Sequence, residues 1–253
     1  GRVAIICDGT PFVLTVPHLF IEDLQVSEDY YHKPYFVSFL RGIRILALFL
    51  TTLLPGVYVA SISYHHSVVP LKLLLTLAAS REGIPFSPFT EAFIMGVIFE
   101  LLREAGLRMP RPIGQAVSIV GALVLGEAAV QAGIPSSGMV IITSLTAISA
   151  FVLPKMQGSL PIIRLIILIS ANLMGFLGMM VTTLLIFVHL CTLRSFGVPY
   201  LSPFTPLEGT DLKDAFIRVP IWMMLRRPRS LSPDDNSTIY RKRMEKTRIK
   251  KED

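Results

Sequence analysis

The sequence predicts a mainly α-helical integral membrane protein with about four to six membrane helices and a short β-hairpin at its N-terminus. Of its 253 residues, 52% are hydrophobic and 17% are charged, and the mean hydropathy is +0.59. A soluble domain usually carries about 25% charged residues. Several apolar stretches are also long enough to cross about 30 Å of hydrocarbon. A third observation is that the basic excess is confined to the C-terminal tail.

The N-terminus has the pattern of a hairpin. Val3–Cys7 and Phe12–Val16 are apolar, β-rich runs, and the turn sequence DGTP separates them. Asp-Gly-Thr after a strand also occurs in phosphoryl-transfer sites, but Ile6 stands where such a site needs its nucleophilic aspartate. We therefore expect a structural turn. Because the chain begins inside a strand without a methionine, we expect a C-terminal fragment, with residues 1–40 ending a soluble α/β domain and connecting it to the membrane.

Residues 41–195 are expected to form a multi-span membrane domain. Pro55-Gly56 lies in the middle of the first span and predicts a kink. Residues 69–105 indicate two shorter helices, either re-entrant or interfacial. Aromatic and basic residues before the first span suit the membrane surface, namely Tyr30, Tyr31, Tyr35, Arg41 and Arg44. The predicted full spans are residues 45–63, 113–131, 137–153 and 165–190.

Residues 196–253 are expected to comprise a Pro-rich exit, an amphipathic interfacial stretch and a basic tail. Residues 211–253 carry a net charge of +5, against +1 for residues 1–210. By the positive-inside rule this places the C-terminus in the cytoplasm, with membrane lipids as partners. The tail has no nucleic-acid-binding motif, so no nucleic-acid partner is expected. Arg103, Arg108 and Arg111 would then lie on the outer side, so the span count could differ by one or two.

Residues 91–105 contain the most informative pattern. One face turns from apolar to acidic, and a second face is apolar throughout. Around a ring of subunits, the first face would give a hydrophobic constriction followed by a carboxylate ring, as in a cation pore. The alternative, which the pattern alone favours, is a surface helix with Glu100–Arg103 and Glu104–Arg108 pairs. The first face holds Phe93, Val97, Glu100 and Glu104, and the second holds Ile94, Ile98, Leu101 and Ala105.

Other candidate residues give weaker signals. Glu127 is the only charged residue between Pro112 and Pro154, so it is either an intramembrane acid with a partner or a hydrated carboxylate near a span end. Cys7 and Cys191 form no metal or disulfide pattern. The sequence has no catalytic triad and no nucleotide-binding motif. We therefore expect no catalytic residue, no metal, no cofactor and no enzymatic activity.

Four longer motifs occur in order along the chain: GRVAIICDGTPFVLTVP, AASREGIPF, LREAGLRMPRPIGQAVSIVGALVLGEAAVQAG and LCTLRSFGVPYLSP. Together they resemble the A subunit of the GerA-type spore germinant receptor, in the GerA/SpoVAF family. The resemblance extends from Gly1 to about Pro206, and the SpoVAF-type relatives share the architecture. It implies the inner membrane of bacterial endospores, a transporter-like B subunit that senses the nutrient, and a lipoprotein C subunit. It also implies an oligomer, expected to be a pentamer, that releases cations.

The resemblance also strengthens the pore interpretation of residues 91–105. It implies that Phe93, Val97 and Glu100 face a pore with Val97 as its gate, while Glu100 and Glu104 favour cations. Glu91 is a further candidate at the other end of the helix. Two alternatives remain open: a non-conducting scaffold that holds the sensing subunit, and a secondary transporter. The sequence shows none of the internal repeats that transporters usually have.

Overall fold

A computed structural model describes residues 2–11, 13–108, 127–205, 207 and 211–220. The described chain is mostly helical, with two small antiparallel strand pairs. It divides into two units, each with its own internal contacts. Unit 1 comprises Gly1–Ile45 and Ile186–Asp253, and unit 2 comprises Leu46–Leu185.

The predicted hairpin is confirmed. Strand β1 (Val3–Ile6) pairs antiparallel with β2 (Val13–Val16), with Val3 opposite Val16. Gly9 in the connecting turn has φ +81°, a left-handed conformation that favours glycine. The turn that contains Asp8 and Thr10 is therefore accounted for by backbone geometry.

The first long helix begins before the apolar run does. Helix α1 (Phe20–Asp23) and a 3-10 turn (Ser27–Tyr30) lead to α2 (Pro34–Ser63). Proline suits the first turn of a helix because its missing N–H would have no partner there. The predicted stretch 45–63 is confirmed as helix, with Pro55 inside it. At 30 residues α2 is long and apolar enough to cross a membrane.

Two further helices follow, as predicted for residues 69–105. Helix α3 (Leu71–Ser80) has 10 residues and is too short to cross a bilayer. Helix α4 (Pro88–Arg108) has 21 residues, and the Ser87 hydroxyl accepts the Thr90 N–H at its start. The helical period predicted for residues 91–105 thus extends by about one turn at its N-terminal end.

The next part of the chain is described only from residue 127 onward. The predicted span 113–131 lies almost wholly outside the described residues, which include the short helix α5 (Ala129–Gln131). Helix α6 (Ser137–Phe151) confirms the predicted apolar segment as helical. Its N-cap is Ser136, whose hydroxyl accepts a hydrogen bond from the Met139 N–H.

The last helix, α7 (Leu160–Thr192), is apolar and long enough to cross a membrane, but it is not one straight rod. Gly175 interrupts it with φ 62° and ψ −139°. A Cβ at Gly178 would lie 2.3 Å from the Ser170 carbonyl oxygen. Residues eight apart in a straight helix are separated by about 12 Å along its axis. The chain therefore folds back at Gly175, and the halves 160–174 and 176–192 are each shorter than the about 20 residues of a full span.

The predicted Pro-rich exit contains a second small hairpin. Strand β3 (Arg194–Ser195) pairs with β4 (Val198–Pro199) around Gly197, which has φ +85°. A 3-10 turn (Asp211–Asp214) follows. The amphipathic stretch was predicted largely from residues beyond 220, and that part and the basic tail lie outside the described residues.

The core of unit 2 is formed by α2, α4, α6 and the first half of α7. Helix α4 packs through the buried Ala92, with Phe89 and Met95 beside it. The prediction that the second, apolar face of α4 packs against the core is wrong in part, because Leu101 on that face is 65% exposed. The buried core cluster consists of Tyr58, Val59, Ala92, Met139 and Leu168.

Candidate functional site

Glu91, the candidate at the start of α4, is a buried structural anchor in this chain. It is 1% exposed, and its Oε2 accepts hydrogen bonds from the Ser136 N–H at 3.0 Å and the Ser136 hydroxyl at 2.8 Å. Arg81 Nη2 lies 3.0 Å from Oε1. The carboxylate therefore joins the α3–α4 loop to the N-terminus of α6, where negative charge is favourable.

Phe93 and Val97 lie on a face of α4 that the core does not cover. They are 41% and 43% exposed, respectively. Glu100, one turn further on, is partly exposed, and Glu104 is exposed. The face predicted to turn from apolar to acidic is thus present, and we call these four residues the α4 stripe.

Three residues of the α4 stripe line a cavity of about 180 Å³ inside unit 2. The cavity lies between α2, α4, α6 and the first half of α7, and most of its wall is apolar. Its one acidic and one basic group are Glu100 and Arg164. The residues that line the cavity from other helices include Pro55, Thr143, Thr146, Leu165 and Leu168.

Glu100 lies between two arginines. Its Oε1 is in close contact with Arg103 Nη2, and its Oε2 lies 3.9 Å from Arg164 Nη2. Arg103 also donates a hydrogen bond to the Gln157 carbonyl at 3.3 Å. Further along α4, Arg108 pairs with Glu104 at 2.6 Å on the exposed surface. Both ion pairs that the surface-helix alternative predicts are therefore present.

Glu127 is placed at the edge of the described chain. Its side chain is exposed and accepts a 3.4 Å hydrogen bond from Gln131 Nε2. The described residues give it no buried counter-charge. Most of the helix predicted around Glu127 lies outside the described residues, so both interpretations of this carboxylate stay predictions.

Unit 1 contains a second charged cluster, which the sequence did not predict. The Asp29 side chain is fully buried, and Arg44 binds both of its oxygens, at 2.6 and 2.7 Å. Arg41, also buried, contacts Asp29 at 3.4 Å. Burial alone would raise the pKa of Asp29, but the Arg44 hydrogen bond and the two positive charges hold it below its usual value.

The same cluster holds the segment after the last helix. Arg41 donates to the Asp214 carbonyl at 2.6 Å and to its carboxylate at 3.0 Å. Arg218 donates to the backbone carbonyls of Asp29, Tyr30 and His32. Burial and the nearby Asp214 charge raise the pKa of Tyr30. Arg41, which was predicted to suit the membrane surface, is thus buried among ion pairs within unit 1.

Among the described residues, no group of three or more His, Cys, Asp or Glu side chains is placed to hold a metal ion. Sequence reasoning missed Arg81 and Arg164, since neither lies on the same helix as its acidic partner. Both arginines adjoin apolar runs, and an arginine at such a place usually has a buried partner. That signal points to the arginines but not to the partners.

Comparison with known proteins adds a sequence relationship. The profile of the Bacillus/Clostridium GerA spore germination protein family matches residues 1–230. Spore germination protein KA of Bacillus subtilis is 51% identical over 237 residues, which is 93% of this chain and 44% of that protein. Spore germination protein B1 of the same organism is 42% identical over 238 residues, which is 93% of this chain and 49% of that protein.

A third relative has a less specific description. The uncharacterized membrane protein YfkQ of B. subtilis is 47% identical, covering 92% of this chain and 46% of its own length. The chain thus spans about half the length of these curated relatives. No solved structure matches it.

Proposed function

Because the chain belongs to the GerA spore germination protein family, we propose that it is the membrane part of a receptor A subunit and supplies a cation path. In this proposal it lies in the inner membrane of the endospore with its C-terminus in the cytoplasm. Its partners are a nutrient-sensing B subunit, a lipoprotein C subunit and further copies of itself. The complete ring contains five copies of this chain. The family relationship supports the assignment to a germination receptor. The two helices that are long and apolar enough to cross a membrane support the membrane location.

One observation supports the cation path most directly. Phe93 and Val97 of the α4 stripe are large and apolar, yet the described residues leave them 41% and 43% exposed. An apolar ring of Val97 side chains would block ions by dewetting, and carboxylates beyond it would attract cations. Glu91 is not available for this role because its carboxylate is buried between Arg81 and Ser136. The proposed pore residues are therefore Phe93, Val97, Glu100 and Glu104.

A second candidate function is a non-conducting scaffold. The observation in its favour is that Glu100 and Glu104 both pair with arginines of their own helix. Such pairs are typical of a solvated helix surface. On this account, substitutions in the stripe change germination only by lowering the amount of assembled receptor.

The experiment that separates the two is ion release from dormant spores without nutrient. The full-length protein carries Val97→Ala, and Leu101→Ala on the same helix is the control, because Leu101 is exposed but does not line the cavity. The channel predicts spontaneous release from the Val97 variant alone, at normal receptor abundance. If spores with the Val97 variant stay dormant at normal receptor abundance, Val97 is not the gate. If they stay dormant because the receptor is lost, the result supports the scaffold function.

A further inference from the structure

The two oxygens of the Glu100 carboxylate have unlike surroundings. Oε1 is in close contact with Arg103, which follows one turn later on α4. Oε2 is buried and has no hydrogen-bond partner within the described chain. Arg164 lies 3.9 Å from Oε2, which is too far for a hydrogen bond but close enough for strong attraction between charges. Arg103 is thus the tightly bound partner and Arg164 the loosely bound one.

Arg164 has few partners among the described residues. Its side chain is 13% exposed, and Glu100 is its only ion-pair partner in the described parts of the sequence. Arg164 Nη2 packs beside Gly96 of α4, where an added Cβ would lie 3.9 Å from it, an ordinary van der Waals distance. The position of Arg164 is therefore held mainly by attraction to a single carboxylate.

The charges at this level of the α4 stripe do not favour cations. One carboxylate, Glu100, faces two guanidinium groups, Arg103 and Arg164. A constriction with surplus positive charge repels cations and attracts anions. A cation path along the stripe therefore needs one arginine to withdraw. Arg164 is better placed to do so, because it comes from another helix and forms no side-chain hydrogen bond with the residues that the structure describes.

We propose that Arg164 is the releasable counter-ion of Glu100, and that its position sets the ion selectivity of the α4 stripe. This inference rests on the proposed conduction along the stripe. Arg164 lies on the first half of α7, which ends at the Gly175 fold. A rotation of this half-helix about Gly175 would move Arg164 away from the cavity. Glu100 would then keep only Arg103, and the surplus positive charge would disappear.

The test uses the full-length protein in planar bilayers under a potassium chloride gradient, where the reversal potential gives the K⁺ to Cl⁻ permeability ratio. All variants carry Val97→Ala, so that the proposed gate is open. Arg164→Gln should raise the ratio about tenfold, because it removes a charge next to Glu100. Arg164→Lys should leave the ratio within about twofold. Lys72→Gln is the matched control, since it removes an exposed positive charge from α3 that does not line the cavity.

The outcomes separate this inference from the proposed function. If Val97→Ala alone conducts no ions, the proposed cation path fails and the inference with it. If it conducts and Arg164→Gln leaves the ratio unchanged, or shifts it no more than Lys72→Gln, the counter-ion role is overturned and the path stands. If Arg164→Gln does not fold, Arg164→Met, which is also uncharged, decides by the same criterion. A rise in the ratio of about tenfold supports the role, and an unchanged ratio overturns it.

Discussion

The two charged clusters of this molecule differ in how completely their groups are bound. In unit 1, both carboxylate oxygens of Asp29 accept hydrogen bonds, which come from Arg41, Arg44 and the Val26 N–H, although Arg41 Nη2 has no hydrogen-bond partner among the described residues. In unit 2, Glu100 has one well-bound oxygen and one without a hydrogen bond in the described chain. A buried charge with a full set of partners is an anchor, because removing any partner is costly. A charge with a loose partner can exchange it at lower cost.

The largest effect we expect is from Asp29→Ala, which leaves two arginines in unit 1 without their buried counter-charge. The free energy of unfolding should fall by about 3–5 kcal/mol. Chemical denaturation of the purified protein in detergent measures it. Glu28→Ala, at the exposed neighbouring position, should change stability by less than about 0.5 kcal/mol. Equal effects of the two substitutions would show that the unit 1 cluster is not an anchor.

Acid titration sharpens the same prediction. The pKa of Asp29 is lowered in the folded protein, so its stabilisation is fully present above the unfolded-state pKa of about 3.9. It is lost as the pH falls from that value through the lower folded-state pKa. Asp29→Asn should lack this acid-dependent loss. An unchanged acid profile in the variant would contradict the assignment.

Glu91→Gln should have the next largest effect, a loss of about 2–3 kcal/mol from hydrogen bonds to a charged group. The reason is that Glu91 joins Arg81 to the start of α6. Glu82→Gln, at an exposed position in the same loop, is the control. Thermal unfolding gives the ranking. A stable Glu91→Gln protein with altered ion selectivity would instead return Glu91 to the proposed pore.

Gly175→Ala should destabilise unit 2 by about 1–3 kcal/mol, because the φ of 62° strains any residue with a Cβ. The new methyl group would also lie 2.8 Å from His65 Cε1. Gly158→Ala, at a position with no atom within 4 Å of the added Cβ, should be nearly neutral. Hydrogen exchange of α7 checks both variants. If Gly175→Ala is as stable as Gly158→Ala, the chain does not fold back there.

The smallest effect belongs to the exposed end of the α4 stripe. Glu104→Gln breaks the pair with Arg108, which is worth about 0.3–0.5 kcal/mol at an exposed helix position. The loss should shrink in high salt, because exposed charges are screened. Denaturation at two salt concentrations measures it. A loss as large as that of Glu91→Gln would mean that Glu104 is buried in the assembled protein.

Local patterns in the sequence predicted much of the fold. The alternation around DGTP gave the hairpin β1–β2, and the apolar runs gave α2 and α6. Hydropathy could not reveal that the chain reverses its direction at Gly175, because the segment is apolar on both sides of this residue. Glycine inside a helix usually costs only about 1 kcal/mol, so it does not by itself predict a break.

Sequence reasoning predicted only those residues of the candidate site that lie on α4. The helical period placed Phe93, Val97 and Glu100 on one face, and the structure agrees. The partners of the acidic groups could not be predicted, because Arg81 reaches α4 from the preceding loop and Arg164 from another helix. Such contacts depend on tertiary packing, which one sequence does not encode as a local pattern.

The central claim is that the Phe93–Val97–Glu100 face of α4 lines an ion path, and thiol modification tests it most directly. In full-length protein with Cys7 and Cys191 replaced by serine, Val97→Cys and Leu101→Cys are compared during ion flux. We predict that a charged, membrane-impermeant thiol reagent blocks flux through the Val97→Cys protein and leaves the Leu101→Cys protein unaffected. Block at Leu101→Cys alone, or at neither position with both proteins conducting, would contradict the account.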